Sequence, residues 1–131
     1  MWTRILLATD GRELSKRAEE LAFELARAAR AELLVVSVAH VASEEDRAFQ
    51  VETAMEAVGK LVNRGRAEGL RIEGFVERGE PAPTIAEAAR ARGADVIVLG
   101  TTGRKGLAHA FLGSVAESVA RLSPVTVVIA K

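Results

Sequence analysis

Glycine residues are concentrated in segment 99–114, which follows a buried apolar run and precedes a helical pattern. Gly100, Gly103 and Gly113 are followed by Ser114, in the spacing G-x2-G-x9-G-S. Glycine lets the backbone reach positive φ and brings N–H groups close to a ligand without an intervening Cβ. The following helix starts with N–H donors that lack a helical partner and with the positive end of its dipole. These residue types predict an anion or phosphate site.

The same residues also have purely structural interpretations. Gly100 can end a strand and Gly103 can shape a turn. Ser114 and Glu117 form the S-x-x-E pattern of a capping box, which needs no ligand. For Asp10, which follows the first apolar run, both a helix cap and a ligand contact remain open.

Composition narrows the function classes. The chain has 131 residues, enough for one domain spanning residues 1–131 with its own core. The 18 basic residues are balanced by 18 acidic ones and are scattered, which argues against a nucleic-acid partner. The absence of cysteine excludes disulfides and thiol chemistry. There is no signal-peptide layout and no apolar run near the ~20 residues of a membrane helix, so we expect a cytoplasmic protein without a membrane partner.

Five short apolar runs predict strands, and helical patterns lie between them. The predicted strands are 5–8, 33–38, 72–77, 95–99 and 125–129. Alternation of strands and helices predicts an α/β fold, in which a parallel sheet carries helices on both faces. The weaker, alternating third strand is typical of a sheet edge.

Apolar spacing also predicts which helix faces are buried. Leu14 begins the apolar stripe of the first helix, and Met55 lies on the apolar face of the second, which starts at Ser43. Gly59 inside the second helix costs about 1 kcal/mol relative to alanine, so we expect a packing reason for it. Pro81 is expected at the start of the third helix, where proline is tolerated.

The expected topology places the glycine segment opposite the end of the first strand. Common five-stranded orders put strand 1 beside strand 4 or strand 3, at a switch point where ligands bind outside the carboxyl ends. Asp10 and the glycine segment then face one crevice if strands 1 and 4 are neighbours. The G-x-x-x-x-G-K-[ST] and G-x-G-x-x-G motifs are absent, which excludes a P-loop and disfavours a dinucleotide site. The single aspartate and short turn after strand 1 also disfavour a receiver domain and a flavodoxin.

The glycine spacing, in this place, resembles that of the universal stress protein family, particularly its ATP-binding branch. Further matching segments are 5–11, 79–82, 94–100 and 123–128, so the resemblance covers nearly the whole chain. It implies a doubly wound parallel sheet of five strands in the order 3-2-1-4-5.

The resemblance further implies a site for ATP or a related adenine nucleotide, with Mg²⁺ held largely by the phosphates. The residues implied to contact adenine and ribose are Ala8, Thr9, Asp10 and Val38. Those implied to line the entrance to the ribose and phosphate sites are Leu99 and Gly100. Those implied to surround the triphosphate are Gly103, Gly113, Ser114 and Val115.

The sequence departs from the family pattern in two places. Arg12 stands where a small serine is frequent, and could crowd the adenosine side. Thr101 and Thr102 replace a frequent pairing with arginine or histidine, and Arg104 or Lys105 could supply the missing donor.

The last strand carries a prediction about assembly. Residues 125–129 are apolar on both faces, yet a final strand in this topology lies at a sheet edge, where it invites pairing with another chain. The resemblance implies a homodimer through this C-terminal strand.

The predicted function is a nucleotide-dependent switch in regulation or stress response, with a downstream protein partner that the sequence does not identify. A slow ATPase or phosphotransferase and a nucleotide-free dimeric interaction module remain as alternatives.

Overall fold

A parallel sheet forms the centre of the molecule. The structure is a computed structural model and describes residues 2–40, 44–101 and 113–131. The strands are β1 (Arg4–Ala8), β2 (Glu32–Ala39), β3 (Ile72–Arg78), β4 (Val96–Gly100) and β5 (Thr126–Ala130). They lie in the order β3-β2-β1-β4-β5, and every pairing is parallel. The order 3-2-1-4-5 is therefore confirmed, with β1 between β2 and β4.

Helices cover both faces of this sheet, as predicted. They are α1 (Lys16–Ala29), α2 (Glu44–Ala67), α3 (Pro81–Ala91) and α4 (Ser114–Leu122). One core cluster joins α1 and α2 to side chains such as Leu7 and Val35. The other joins α3 and α4 to side chains of the opposite face, such as Leu6 and Val36. Successive strand residues point to opposite faces, so each apolar run supplies both cores.

Three predictions about the helices were wrong. Leu14 is 58% exposed because it lies in a 3-10 turn, Glu13–Ser15, and α1 begins only at Lys16. Met55 is 60% exposed, although Val58 on the same stripe is buried. Gly59 has no packing reason, since a Cβ built there would meet no atom within 4 Å.

The close packing between α2 and β3 occurs at two other glycines, one in each element. A Cβ at Gly74 of β3 would lie 2.7 Å from Val62 and closer still to Val58, so α2 rests directly on the backbone of the edge strand. A Cβ at Gly65 would likewise lie 2.7 Å from the Cδ1 of Ile72. None of the described helices is long and apolar enough to cross a membrane.

Candidate functional site

The turn after β1 is held by its own polar groups. Thr9 continues the strand, since its N–H donates to the Val36 carbonyl at 3.0 Å. The Asp10 carboxylate accepts the Arg12 N–H at 2.8 Å and the Ser15 hydroxyl at 2.8 Å, both on Oδ1. Asp10 therefore shapes the approach to the 3-10 turn, whose N-cap residue is Arg12. Its second oxygen, Oδ2, has no hydrogen bond to a described residue and is available to a ligand.

The Thr9 side chain is buried beneath this turn. Its hydroxyl donates to Glu19 Oε2 at 2.6 Å and accepts the Gly11 N–H at 3.0 Å. Lys16 Nζ lies 3.7 Å from Glu19 Oε1, so the buried carboxylate has a cationic neighbour. The hydroxyl thus connects helix α1 to the backbone of the turn.

Gly11 has a conformation and a position that require glycine. Its φ is +76°, in the left-handed region that L side chains rarely adopt. A Cβ there would lie 2.6 Å from the Cβ of Ala57 in α2. The turn after β1 is therefore packed against α2.

A cleft of about 230 Å³ opens at the carboxyl ends of β1, β2 and β4. Its lining residues are Ala8, Thr9, Asp10, Ser15, Val36, Val38, Pro81, Ile85, Leu99, Gly100 and Val115. It lies at the switch point of the sheet, where β1 separates the two directions of winding. The crevice expected between strands 1 and 4 is present.

Most of the predicted contact residues that the structure describes meet at this cleft. Those that line it are Ala8, Thr9, Asp10, Val38, Leu99, Gly100 and Val115. Gly113 and Ser114 directly precede Val115 at the start of α4 but do not line the cleft among the described residues. Gly103 lies outside the described residues, as do Thr102, Arg104 and Lys105.

The beginning of α4 differs from the capping-box interpretation. Gly113 is the N-cap residue, and Ser114 is the first residue of the helix, with no side-chain capping bond there among the described residues. The Gly113 N–H donates to the Thr101 carbonyl at 2.8 Å, so this amide is already occupied. The first helical bond runs from the Glu117 N–H to the Gly113 carbonyl at 3.0 Å. The three amides before Glu117 therefore have no partner within the helix and form the positive end of its dipole.

Arg12 and Thr101, which depart from the family pattern, lie in different surroundings. Arg12 is exposed and lines a separate cleft between α1 and α2, so it does not crowd the cleft at the switch point. The Thr101 N–H donates to the Ala130 carbonyl at 3.2 Å, which extends the pairing of β4 with β5. The backbone of Thr101 therefore forms hydrogen bonds near the start of the glycine segment.

Four further residues line the cleft that were not predicted from the sequence: Ser15, Val36, Pro81 and Ile85. Val36 could have been found from Val38, because residues two apart in a strand share a face. Pro81 and Ile85 are four apart and share a face of α3. Ser15 carries no local signal, since its role follows from its contact with Asp10.

The cleft has two chemically different parts. Its floor is apolar and includes Val38, Ile85 and Leu99, which suits a flat, weakly polar ring. One end carries the Asp10 carboxylate, an acceptor suited to hydroxyl donors. The start of α4 lies beyond Val115 and favours an anion. No group of three or more histidine or acidic side chains among the described residues could hold a metal ion.

The comparisons with known proteins agree with this architecture. A model of the universal stress protein family matches residues 1–131. Universal stress protein MJ0531 of Methanocaldococcus jannaschii is 31% identical over 141 residues, which span 100% of this chain and 83% of that protein.

Two similar solved structures contain nucleotides. One is a universal stress protein in complex with cAMP, at 28% identity and a TM-score of 0.80, covering 99% of this chain and 97% of that chain. The other is the universal stress protein from Archaeoglobus fulgidus in complex with dAMP, at 26% identity and a TM-score of 0.73, covering 98% of each chain.

Proposed function

Because the chain belongs to the universal stress protein family, we propose that it binds an adenine nucleotide in the cleft at the switch point and acts as a nucleotide-dependent regulatory protein. The observation that carries the proposal is the convergence of Asp10, Val38, Leu99 and Val115 on one cleft. The complexes of similar proteins with cAMP and dAMP support an adenine nucleotide as the ligand class.

The two parts of the cleft suggest the orientation of the ligand. Adenine fits the apolar floor between Val38 and Leu99, and the free Oδ2 of Asp10 suits the ribose hydroxyls. An anionic phosphate is repelled by Asp10 and attracted by the start of α4, so it belongs at the opposite end. The proposed physiological form is ATP with Mg²⁺, whose ligands would come largely from the phosphates and water.

Titration calorimetry with Mg-ATP and with AMP tests this function. We expect saturable heat for the unmodified protein and none for Gly113→Val, because a branched side chain at the start of α4 obstructs approach to its amides. Gly113 is buried, but its φ of −64° is one that valine adopts readily, and circular dichroism checks that the variant folds.

Gly59→Val is the matched control for that experiment. It adds the same side chain at a position with no atom within 4 Å of the new Cβ, and it should bind like the unmodified protein. Absence of saturable heat with ATP, ADP and AMP in the unmodified protein would remove the proposed function. Undiminished binding by Gly113→Val would show that the start of α4 does not receive the phosphates.

We also propose that two chains pair through β5. This strand lies at the edge of the sheet, and its Val127, Val128 and Ile129 side chains remain only partly buried. An apolar edge strand with open backbone groups favours pairing with a second chain. Light scattering at micromolar concentration should give the mass of a dimer, and Val127→Lys should shift it toward the monomer. A monomer in the unmodified protein at that concentration would refute the pairing.

A further inference from the structure

A buried carboxylate lies behind the cleft without lining it. The Glu19 side chain is 3% exposed, and it is not among the described residues that line the cleft. A buried carboxylate is costly unless it is paired and hydrogen-bonded. Here Lys16 Nζ lies 3.7 Å from Oε1, and the Thr9 hydroxyl donates to Oε2 at 2.6 Å. Binding of a nucleotide in the cleft requires no direct contact with this group.

The direction of these hydrogen bonds is fixed by chemistry. A backbone N–H only donates, so the Thr9 oxygen is the acceptor for Gly11 and the hydroxyl gives its single proton to Glu19 Oε2. The hydroxyl oxygen then keeps its lone pairs for the Gly11 N–H, which lies 3.0 Å away. Without the acceptor at position 19, the hydroxyl is free to rotate, and the orientation that favours Gly11 is lost.

We propose that Glu19 is a positioning residue for the nucleotide cleft. Its carboxylate orients the Thr9 hydroxyl, which holds Gly11 at its positive φ and so fixes the turn that presents Asp10. The inference rests on the proposed function for the identity of the ligand. The control of the Gly11 amide by Glu19 does not require a nucleotide, so it can be tested in the protein without ligand.

The turn has two independent supports, which is why the role of Glu19 can be separated from that of Asp10. Asp10 holds the outer side of the turn through the Arg12 N–H and the Ser15 hydroxyl. Glu19 holds the inner side from α1, at a position that does not line the cleft. Loss of the inner support should therefore loosen Gly11 and weaken binding while the sheet and α1 persist.

Two substitutions of Glu19 separate hydrogen bonding from packing. Glu19→Leu fills much of the space but cannot accept the Thr9 proton, whereas the amide oxygen of Glu19→Gln can. We expect Glu19→Leu to weaken binding of AMP and Mg-ATP about tenfold or more, as the loss of a buried hydrogen bond to a charged group does. Glu19→Gln should restore affinity to within about threefold of the unmodified protein.

Hydrogen exchange at the Gly11 amide, measured by NMR in the protein without nucleotide, is the second readout. Exchange should accelerate in Glu19→Leu and stay slow in Glu19→Gln. Phe23→Leu is the control for general destabilisation, because Phe23 is fully buried four residues further along α1 and its ring has no hydrogen-bonding group to offer Thr9. It should lower the melting temperature without changing affinity or Gly11 exchange.

The outcomes separate the two proposals. If the unmodified protein binds neither nucleotide, the proposed function fails, and Gly11 exchange still decides whether Glu19 controls the turn. Unchanged Gly11 exchange in Glu19→Leu overturns the positioning role. So does unchanged affinity in that variant, or an equal loss of affinity in Phe23→Leu.

Discussion

At each end of β1 one aspartate accepts N–H and hydroxyl groups, but the donors come from different distances along the chain. At the amino end, Asp95 Oδ2 accepts the Thr3 N–H at 2.5 Å, the Arg4 N–H at 2.7 Å and the Thr3 hydroxyl at 2.8 Å. These donors lie 91 and 92 residues away in sequence. The hydrogen bonds from Arg4 and Thr3 lower the pKa of Asp95. Asp95 therefore joins the start of β4 to the start of β1.

At the carboxyl end, the Asp10 donors are local. The Arg12 N–H and the Ser15 hydroxyl lie two and five residues further along the chain. Asp10 thus shapes one turn and ties no strands together, and it faces the cleft. The same carboxylate chemistry thus stabilises the fold where its donors are distant in sequence and shapes a site where they are near.

The largest expected effect is the loss of stability in Asp95→Ala. The substitution removes the shared acceptor of two backbone N–H groups and a hydroxyl, so we expect a loss of about 2 kcal/mol in the free energy of unfolding. Urea denaturation measures it. Nucleotide affinity should stay within about twofold of the unmodified protein, because Asp95 lies at the opposite end of β1 from the cleft.

The pH dependence of that loss provides its control. Because the pKa of Asp95 is lowered in the folded protein, its contribution is complete above the unfolded-state pKa and is lost as pH falls through the lower folded-state value. The difference in stability between the two proteins should therefore be present at neutral pH and shrink in acid. A difference that grew in acid would contradict the stabilising role of the ionised carboxylate.

The smaller expected effect is that of Asp10→Ala, and it falls on binding. We expect affinity for AMP and Mg-ATP to fall about tenfold, as for loss of a hydrogen bond to a charged group. The free energy of unfolding should change by less than about 1 kcal/mol, because only local contacts are lost. Calorimetric titration and urea denaturation on one preparation measure both quantities.

Glu13→Ala is the matched control for Asp10→Ala. It removes one exposed negative charge from the adjoining 3-10 turn without removing a described hydrogen bond. It should bind like the unmodified protein. If Asp10→Ala proved the less stable variant and Asp95→Ala the weaker binder, the distinction between the two ends of β1 would be wrong.

Sequence patterns predicted the sheet because its strands are short apolar runs, and the order of the strands followed from the family resemblance. Two of the errors occurred where an element begins, which spacing alone does not determine. Leu14 has the spacing of the α1 stripe, but the 3-10 turn rotates it outward. Ser114 has the capping-box spacing, but α4 starts one residue earlier in register, with Gly113 as its N-cap.

The candidate site was predictable where its residues end strands or begin a helix. Asp10 follows from topology, because the carboxyl ends of parallel strands meet at one edge, whereas Val38 and Leu99 were implied by the family resemblance. Ser15 and Glu19 were not predictable, since their roles depend on contacts with Asp10 and Thr9 that form only when α1 packs against the sheet. Their spacing is that of an ordinary amphipathic helix.

The packing of Gly11 against Ala57 has a consequence for how the sequence can vary. These residues lie on segments far apart in the chain, and a Cβ at position 11 would come within 2.6 Å of the Ala57 Cβ. Position 57 can therefore hardly enlarge, and position 11 can hardly gain a side chain, without a shift of α2. Neutral drift at these two positions is coupled, so a library that randomises the cleft should hold both fixed.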